Sequence, residues 1–225
     1  MKHLSKIFLL AALIIMSVSC GIDNYDKPSS LFTGKVVYNG QPLGVSGSKG
    51  DVFLQFWQDG YQLHTSFNVY VTQDGSFSAM LFDGTYKLVM NSNRGPWVNS
   101  PDTVIVNVKG NTTQDYPVKP YFTLSNITYN KNGNTLTASF DITQINSGKT
   151  IEYVALMVNK TQFVDFAAET HVNWVKNTSV IPGHVTMQLD ITNDLSKQVK
   201  LYARVGLKIS GIDQGLFDTG VYEVK

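Results

Sequence analysis

Residues 199–208 read VKLYARVGLK, and apolar side chains recur there at every second position. The inward set is Val199, Leu201, Ala203, Val205 and Leu207, and the outward set is Lys200, Tyr202, Arg204, Gly206 and Lys208. A period of two is typical of a β-strand with one face on a core and the other in water. Residues 135–142 (TLTASFDI) and 185–192 (VTMQLDIT) alternate in the same way. The sequence therefore predicts half-buried antiparallel strands.

Turn signals separate these runs at strand-like intervals. Each is a glycine-containing pair of the kind that closes a hairpin. The pairs are Asn39-Gly40, Asp59-Gly60, Asp74-Gly75, Asp83-Gly84, Lys109-Gly110, Asn132-Gly133 and Ser147-Gly148. No stretch of a dozen residues keeps a helical period, so the prediction is an all-β protein.

The chain divides into two predicted domains of sandwich size, residues 31–118 and 121–225. Pro117 and Pro120 stand between them. Because proline cannot donate to a strand ladder, a strand break and a hinge are expected here. The predicted architecture is two tandem antiparallel β-sandwiches.

Composition excludes several classes of protein. The 225 residues are 16% charged, below the roughly 25% of an average domain, and carry a formal net charge of +1. Aromatic residues make up 12%, which argues against disorder. One cysteine cannot form a disulfide within the chain, and near-neutrality gives no charged surface for nucleic acid.

The amino terminus has the pattern of an export signal, residues 1–19. Lys2 and Lys6 precede an apolar run and then small residues before Cys20. This resembles a bacterial lipobox and predicts lipidation of Cys20, with residues 20–30 as the lipidated cysteine and a polar spacer. The alternative is an ordinary signal peptide with a free cysteine nearby.

The first predicted domain carries four short motifs in a fixed order. They are Gly34-Lys35-Val36, Gly40-Gln41-Pro42, Asp74-Gly75-Ser76-Phe77 and Gly84-Thr85-Tyr86-Lys87-Leu88. Their order resembles that of the transthyretin-like, carboxypeptidase-regulatory-like β-sandwich. These motifs imply a fold and carry no chemistry.

The whole chain resembles a Bacteroidetes lipoprotein family, that of the domain of unknown function 3823. The most specific parts are Asp23-Asn24-Tyr25 with Pro28 after Cys20, and residues 34–37. The resemblance implies a second, immunoglobulin-like β-sandwich and an accessory role in glycan capture within an outer-membrane polysaccharide-utilisation system. It implies no catalytic residues.

Localisation is predicted from the same amino-terminal segment. Asp23 and Asp26 follow Cys20 closely, which resembles the surface-export signal of Bacteroidetes lipoproteins. We therefore expect a lipid anchor in the outer membrane; the protein then faces either the cell surface, which these acidic residues favour, or the periplasm.

No catalytic or metal-binding pattern emerges. After the signal only His64, His171 and His184 remain, without the spacing of a zinc motif. Acidic pairs for glycoside hydrolysis are predicted nowhere in particular. The expectation is a non-enzymatic protein with no catalytic residues, metal or cofactor.

The loop of residues 91–100, NSNRGPWVNS, is the main candidate for ligand binding. Aromatic rings stack on apolar sugar faces, and amides or guanidinium groups donate to hydroxyls. The candidate residues in this loop are Asn91, Asn93, Arg94, Trp97 and Asn99. The alternative is that the Trp97 ring folds back to cap the core.

Two further tryptophans are secondary candidates. Trp57 shares a strand face with Phe53 and Gln55, and its alternative role is packing in the core or between domains. The alternative for Trp174 is a core cluster with Phe163 and Phe166.

Three classes of function remain open at this stage. The first is binding of an oligosaccharide or polysaccharide in partnership with outer-membrane glycan transporter components. The second is a structural or assembly module that docks other outer-membrane proteins through an exposed strand edge. The third is a weak hydrolase, which would need two carboxylates about 5–9.5 Å apart in one cleft.

Overall fold

A computed structural model describes residues 26–48, 52–60, 63–198 and 200–225. The predicted export signal, Cys20 and Val199 lie outside the described residues. Within them the chain is nearly all β, with a 3₁₀ turn at Ala168–Thr170 and one α-helix, α1 (Thr192–Lys197). No helix among them has the length and apolar character needed to cross a membrane. The predicted all-β class is confirmed.

The amino-terminal domain is a sandwich of two sheets. Its strands are β1 (Ser30–Tyr38), β2 (Gln41–Pro42), β3 (Phe53–Gln58), β4 (Phe67–Tyr70), β5 (Ser76–Leu81), β6 (Gly84–Met90), β7 (Thr103–Val108), β8 (Thr112–Thr113) and β9 (Tyr116–Pro117). One sheet has the order β2-β1-β5, and β8 and β9 run parallel to β1 beside it. The other is antiparallel with the order β4-β3-β6-β7.

The carboxy-terminal domain is a second sandwich. Its strands are β10 (Phe122–Asn132), β11 (Thr135–Gln144), β12 (Ile151–Asn159), β13 (Asn173–Asn177), β14 (Gly183–Asp190), β15 (Tyr202–Ile209), β16 (Leu216–Phe217) and β17 (Tyr222–Glu223). The first sheet has the order β10-β11-β14 and the second β13-β12-β15, with β16 and β17 both pairing with β15. All of these pairs are antiparallel.

The predicted inward faces form a core that runs through both domains. In the first domain Phe32 of β1 meets Phe56 of β3 across the sandwich, with ring centroids 5.3 Å apart. In the second, Leu136, Ala138 and Phe140 of β11 are fully buried, as their alternation predicts. Burying a leucine or phenylalanine side chain such as Leu136 or Phe140 stabilises the fold by about 1.5–3 kcal/mol.

Strand β15 differs from its prediction because both of its faces are buried. Ala203, Val205 and Leu207 face the core as expected, but Arg204 and Gly206 on the other face are also buried. The prediction that Arg204 faces water is therefore wrong. The amino-terminal domain and the loop before β13 cover this outer face, so the arginine ends at the junction of the two domains.

Four backbone carbonyls surround the Arg204 guanidinium at this junction. Its Nη1 donates to the Val45 oxygen at 3.1 Å and to the Val164 oxygen at 3.3 Å. Nη2 donates to the Gln73 oxygen at 2.5 Å, and Nε to the Asp218 oxygen at 2.7 Å. Burial lowers the pKa of Arg204 to about 10, so it remains a cation at neutral pH. One side chain thus joins both domains.

Asp165 makes a second polar connection beside it. Its carboxylate accepts hydrogen bonds from the Ser46 hydroxyl (2.7 Å) and the Ser48 amide (3.2 Å) of the first domain. Within the second domain it accepts from the Ala167 amide and the Thr170 hydroxyl. Burial raises the pKa of Asp165, but the hydrogen bonds from Ser48, Thr170, Ala167 and Ser46 outweigh burial and hold it below its ordinary value.

The linker between the domains is hydrogen-bonded on both sides. Pro117 ends β9, and the next amide, that of Val118, donates to the Val37 oxygen at 2.9 Å. The Val98 amide donates to the Lys119 oxygen at 2.9 Å, and Pro120 forms a bridge with Trp97. The expected strand break between the domains is present, because β9 ends at Pro117 and β10 begins at Phe122. Proline has no N–H to donate, and the amide of Val118 makes the hydrogen bond to β1 instead.

Removal of the junction cation has a predictable cost. We expect Arg204→Met to lower the free energy of unfolding by about 3–5 kcal/mol, since several buried carbonyls lose their donors. Urea unfolding measures this loss. Arg94→Met, the same change at the chain's other arginine, is the control, and we expect it to cost less than about 1 kcal/mol because Arg94 is exposed. Equal losses in the two variants would contradict the role of Arg204.

Candidate functional site

The outer side of the sheet β4-β3-β6-β7, called here the open face, exposes aromatic and polar side chains. On β3 the core side holds Leu54 and Phe56, which leaves Phe53, Gln55 and Trp57 on the outer side. This confirms the face predicted for Trp57. Its alternative role between the domains is wrong, because the junction lies elsewhere.

At one end of the open face two aromatic rings and an arginine meet. Phe53 pairs with Tyr70 of β4, and their ring centroids are 5.7 Å apart. The Arg94 guanidinium lies over the Phe53 ring at 5.2 Å, a cation–π contact. Phe53 is largely covered, whereas Tyr70 is 54% exposed. Tyr70 therefore offers the accessible ring at this end.

Trp57 occupies the other end of the open face and is half-buried. The His64 ring packs beside its indole with centroids 5.3 Å apart, and Lys87 of β6 stands opposite in the register. Asp59 accepts from Lys87 Nζ at 2.7 Å and pairs with His64 Nε2 at 2.9 Å. The hydrogen bond from Lys87, then that from His64, holds the pKa of Asp59 below its ordinary value. These contacts fix the surroundings of the indole.

Amide and hydroxyl groups fill the space between the two ends. Gln55 pairs with Asn68 on one side and with Val89 on the other, and Val89 in turn pairs with Thr103 at the edge strand β7. Asn68 and Thr103 are exposed and Gln55 is partly exposed. Trp57 and Phe53 are four residues apart on one strand, so the aromatic ends are separated by about 13 Å.

This arrangement suits an extended polar ligand with apolar faces. Aromatic rings at both ends offer stacking surfaces, and the amides between them can donate and accept hydrogen bonds. The face is supported by hydrogen-bonded strands, so its groups are held in place before a ligand arrives. Among the described residues, no group of three His, Cys, Asp or Glu side chains is placed to hold a metal ion.

Trp97 does not present its ring to solvent. It is 3% exposed and packs in the core beside the linker, where it bridges Pro120. The expectation of an open stacking surface on Trp97 is wrong, and the alternative of a core cap is correct. The apolar indole is more stable in the gap under the linker than in water, although its Nε1 has no protein partner.

The asparagines of the same loop bond to each other. The Asn93 amide donates to Asn99 Oδ1 at 2.7 Å, and Asn99 Nδ2 donates to Asn93 Oδ1 at 3.1 Å. Asn91 and Asn99 also line a small cavity beside Trp97. Arg94 of this loop contacts the open face through the Phe53 ring. The predicted cluster is therefore not one site: Asn93 and Asn99 close the loop, and Arg94 is a cation at the surface.

Trp174 lies on the other domain, at the outer side of β13. Its ring contacts the His171 ring (centroids 4.3 Å apart) and lies 3.8 Å from the Lys176 ammonium. Phe166 belongs to the same small cluster, while Phe163 is exposed. The predicted cluster is therefore correct for Phe166 and wrong for Phe163. The contacts with His171 and Lys176 leave less of the Trp174 ring for a ligand.

The sequence analysis missed Tyr70 and Asn68, and it did not predict that Gln55 stands beside Asn68 in the site. Residues 67–70 are too few to show a clear alternation, and Tyr70 becomes a site candidate only through its pairing with Phe53. A partial signal was present, since Phe53, Gln55 and Trp57 already stand on one predicted strand face.

Two family models match the chain. One, described as "Protein of unknown function (DUF3823) N-terminal domain", matches residues 30–119. The other, "Domain of unknown function (DUF3823_C)", matches residues 122–221. No match is found among proteins with curated descriptions.

Solved structures resemble the chain over nearly its whole length. A DUF3823 family protein from Parabacteroides merdae is 40% identical, with a TM-score of 0.82 over 89% of this chain and 100% of that one. A DUF3823 family protein from Bacteroides ovatus is 35% identical, with a TM-score of 0.78 over 88% and 100%.

A more distant similarity is to a Bacteroides uniformis structure named a "putative carbohydrate binding protein". It is 18% identical, with a TM-score of 0.67 over 88% of this chain and 100% of that one. Identity at this level indicates a shared fold.

The Asp59 contacts predict a measurable titration. We expect the Asp59 carboxyl to titrate below 3.8, its ordinary value, and to shift back toward that value in Lys87→Ala. Because the folded pKa is the lower one, the contact stabilises the fold above the unfolded pKa and is lost as pH falls through the folded pKa. Carbon-detected NMR of the carboxyl measures the shift. Lys176→Ala is the control, and an unchanged Asp59 pKa in Lys87→Ala would refute the assignment.

Burial of Trp97 predicts a stability defect. We expect Trp97→Ala to lower the free energy of unfolding by about 3–5 kcal/mol, the usual range for a large buried aromatic. Guanidinium unfolding measures this. Trp57→Ala provides the comparison, with a smaller loss expected because Trp57 is only half-buried. A smaller loss at Trp97 than at Trp57 would show that the ring is not part of the core.

Proposed function

This chain belongs to the DUF3823 family, and we propose that it is a carbohydrate-binding protein whose site is the open face of the amino-terminal domain. The observation that carries the proposal is the linear arrangement on β3 and β4. Trp57 stands at one end, the Gln55–Asn68 pair in the middle, and Tyr70 beside Phe53 at the other end.

Sugar rings have apolar C–H faces and polar hydroxyl edges, so they need both kinds of contact at once. Exposed aromatic rings supply the first, and amide groups supply donors and acceptors for the second. On the open face these groups alternate along one strand, so successive units of a chain can meet them in turn.

A structural relative supports the proposal at the level of the fold. The Bacteroides uniformis protein whose name refers to carbohydrate binding has the same fold, which makes the scaffold compatible with that role. The argument for this chain rests on its own residues.

We also propose a cellular role, on the basis of the sequence. In this proposal the protein is a non-catalytic lipoprotein, anchored through Cys20 to the outer membrane and exposed at the cell surface. Binding on the open face would hold a glycan near the transporter components of a polysaccharide-utilisation system.

Affinity electrophoresis against a panel of neutral and acidic polysaccharides tests the proposal, using a soluble form that begins at Gly21. We expect retardation by at least one polymer, weakened about ten-fold in Trp57→Ala and in Tyr70→Ala. A stacked ring contributes roughly 0.5–1.5 kcal/mol beyond area burial, and the upper end of this range corresponds to about ten-fold.

Trp174→Ala is the matched control, because it removes a half-buried tryptophan from an outer sheet face of the other domain. Retained binding in that variant is expected. Loss of binding in Trp174→Ala alone would place the site on the second domain. No retardation across the panel would reject carbohydrate binding and favour the assembly module.

A further inference from the structure

Among the described residues of the open face, the Arg94 guanidinium is the charge without an ion-pair partner. Two other charged groups lie there, Lys87 and Asp59. They form an ion pair with each other, in which Lys87 Nζ is 2.7 Å from an Asp59 carboxylate oxygen. Within the described part of the chain no carboxylate lies within ion-pair distance of Arg94, whose guanidinium makes a cation–π contact with Phe53. An exposed cation therefore lies at the same end of the open face as the exposed Tyr70 ring, and Phe53 contacts both.

Arg94 is also held in position. Its guanidinium rests on the Phe53 ring, which is itself almost buried. The reciprocal hydrogen bonds between Asn93 and Asn99 close the loop that carries it. Because the side chain and loop are ordered in advance, less conformational entropy is lost when the five N–H donors bind an anion.

We propose that the open face selects acidic glycans, with Arg94 binding a carboxylate or sulfate group on a sugar unit near the Tyr70 end. This inference rests on the proposed function and specifies the class of ligand. The planar guanidinium can make two parallel hydrogen bonds to either kind of oxyanion. Trp57 would meanwhile stack on another unit of the same chain, about 13 Å along β3.

The lysine on the same face is less suited to this role. Lys87 is already hydrogen-bonded to Asp59, so binding an anion would break an existing contact. At the Trp57 end the negative Asp59 also offsets its charge. In this proposal the Arg94 end therefore selects the charged sugar unit, and the Trp57 end stacks on a sugar unit whatever its charge.

The test compares acidic polymers with uncharged polymers of the same backbone. One pair is polygalacturonate and its fully methyl-esterified form, and the other is dextran sulfate and dextran. We expect the soluble chain from Gly21 to bind at least one acidic polymer about ten-fold or more tightly than its uncharged counterpart, as a charge-assisted bidentate pair predicts. This preference should fall as salt rises. The two pairs distinguish carboxylate from sulfate.

Two substitutions locate the effect. Arg94→Gln should abolish the preference for the acidic polymer while leaving binding of the uncharged one within about two-fold. Lys197→Gln removes one exposed positive charge from the other domain and should retain the preference. Matched thermal unfolding midpoints establish that both variants are folded.

The outcomes separate this inference from the proposed function. Binding of an uncharged polymer that is lost in Trp57→Ala, with no preference for its acidic partner, would overturn the acidic selection and leave carbohydrate binding intact. A preference that persists in Arg94→Gln would also overturn it. Absence of binding to every polymer would reject both.

Discussion

The buried guanidinium of Arg204 is the interaction on which the two-domain arrangement depends. Its donors reach Val45 and Gln73 in the first domain and Val164 and Asp218 in the second, and no solvent reaches the side chain. A buried cation is costly unless its donors are satisfied, so the four carbonyls and the cation require one another. The domains can separate only by exposing all of them together.

The fixed junction determines which surfaces can bind a ligand. The outer side of β15 around Arg204 is covered by the first domain, so Phe217 of the neighbouring β16 serves packing there, with Arg204 over its ring at 4.8 Å. The outer side of β4-β3-β6-β7 retains exposed groups, including Tyr70 and Ile105. Both sheet faces carry aromatic residues, but the one at Phe217 is buried between the domains and the one at Tyr70 is exposed.

The site could be predicted from the sequence only in part. Phe53, Gln55 and Trp57 follow from the period of β3, because alternation is a local property of a strand. The prediction that Trp97 stacks on a ligand failed for a physical reason. A tryptophan in a polar loop is compatible both with exposure and with burial, and burial of the Trp97 ring depends on the gap beneath the linker. Arg94, from the same loop, lies at the surface with its guanidinium packed on the Phe53 ring.

The sequence by itself determined the all-β class, the inward faces of most strands and the family. These properties depend on neighbours along the chain, so the alternation of apolar and polar residues and the positions of turn residues indicate them directly. The tertiary structure decided the environment of Arg204, the burial of Trp97 and the meeting of Tyr70 with Phe53. Those depend on which distant segments come together, and a side chain's burial is set by what covers it.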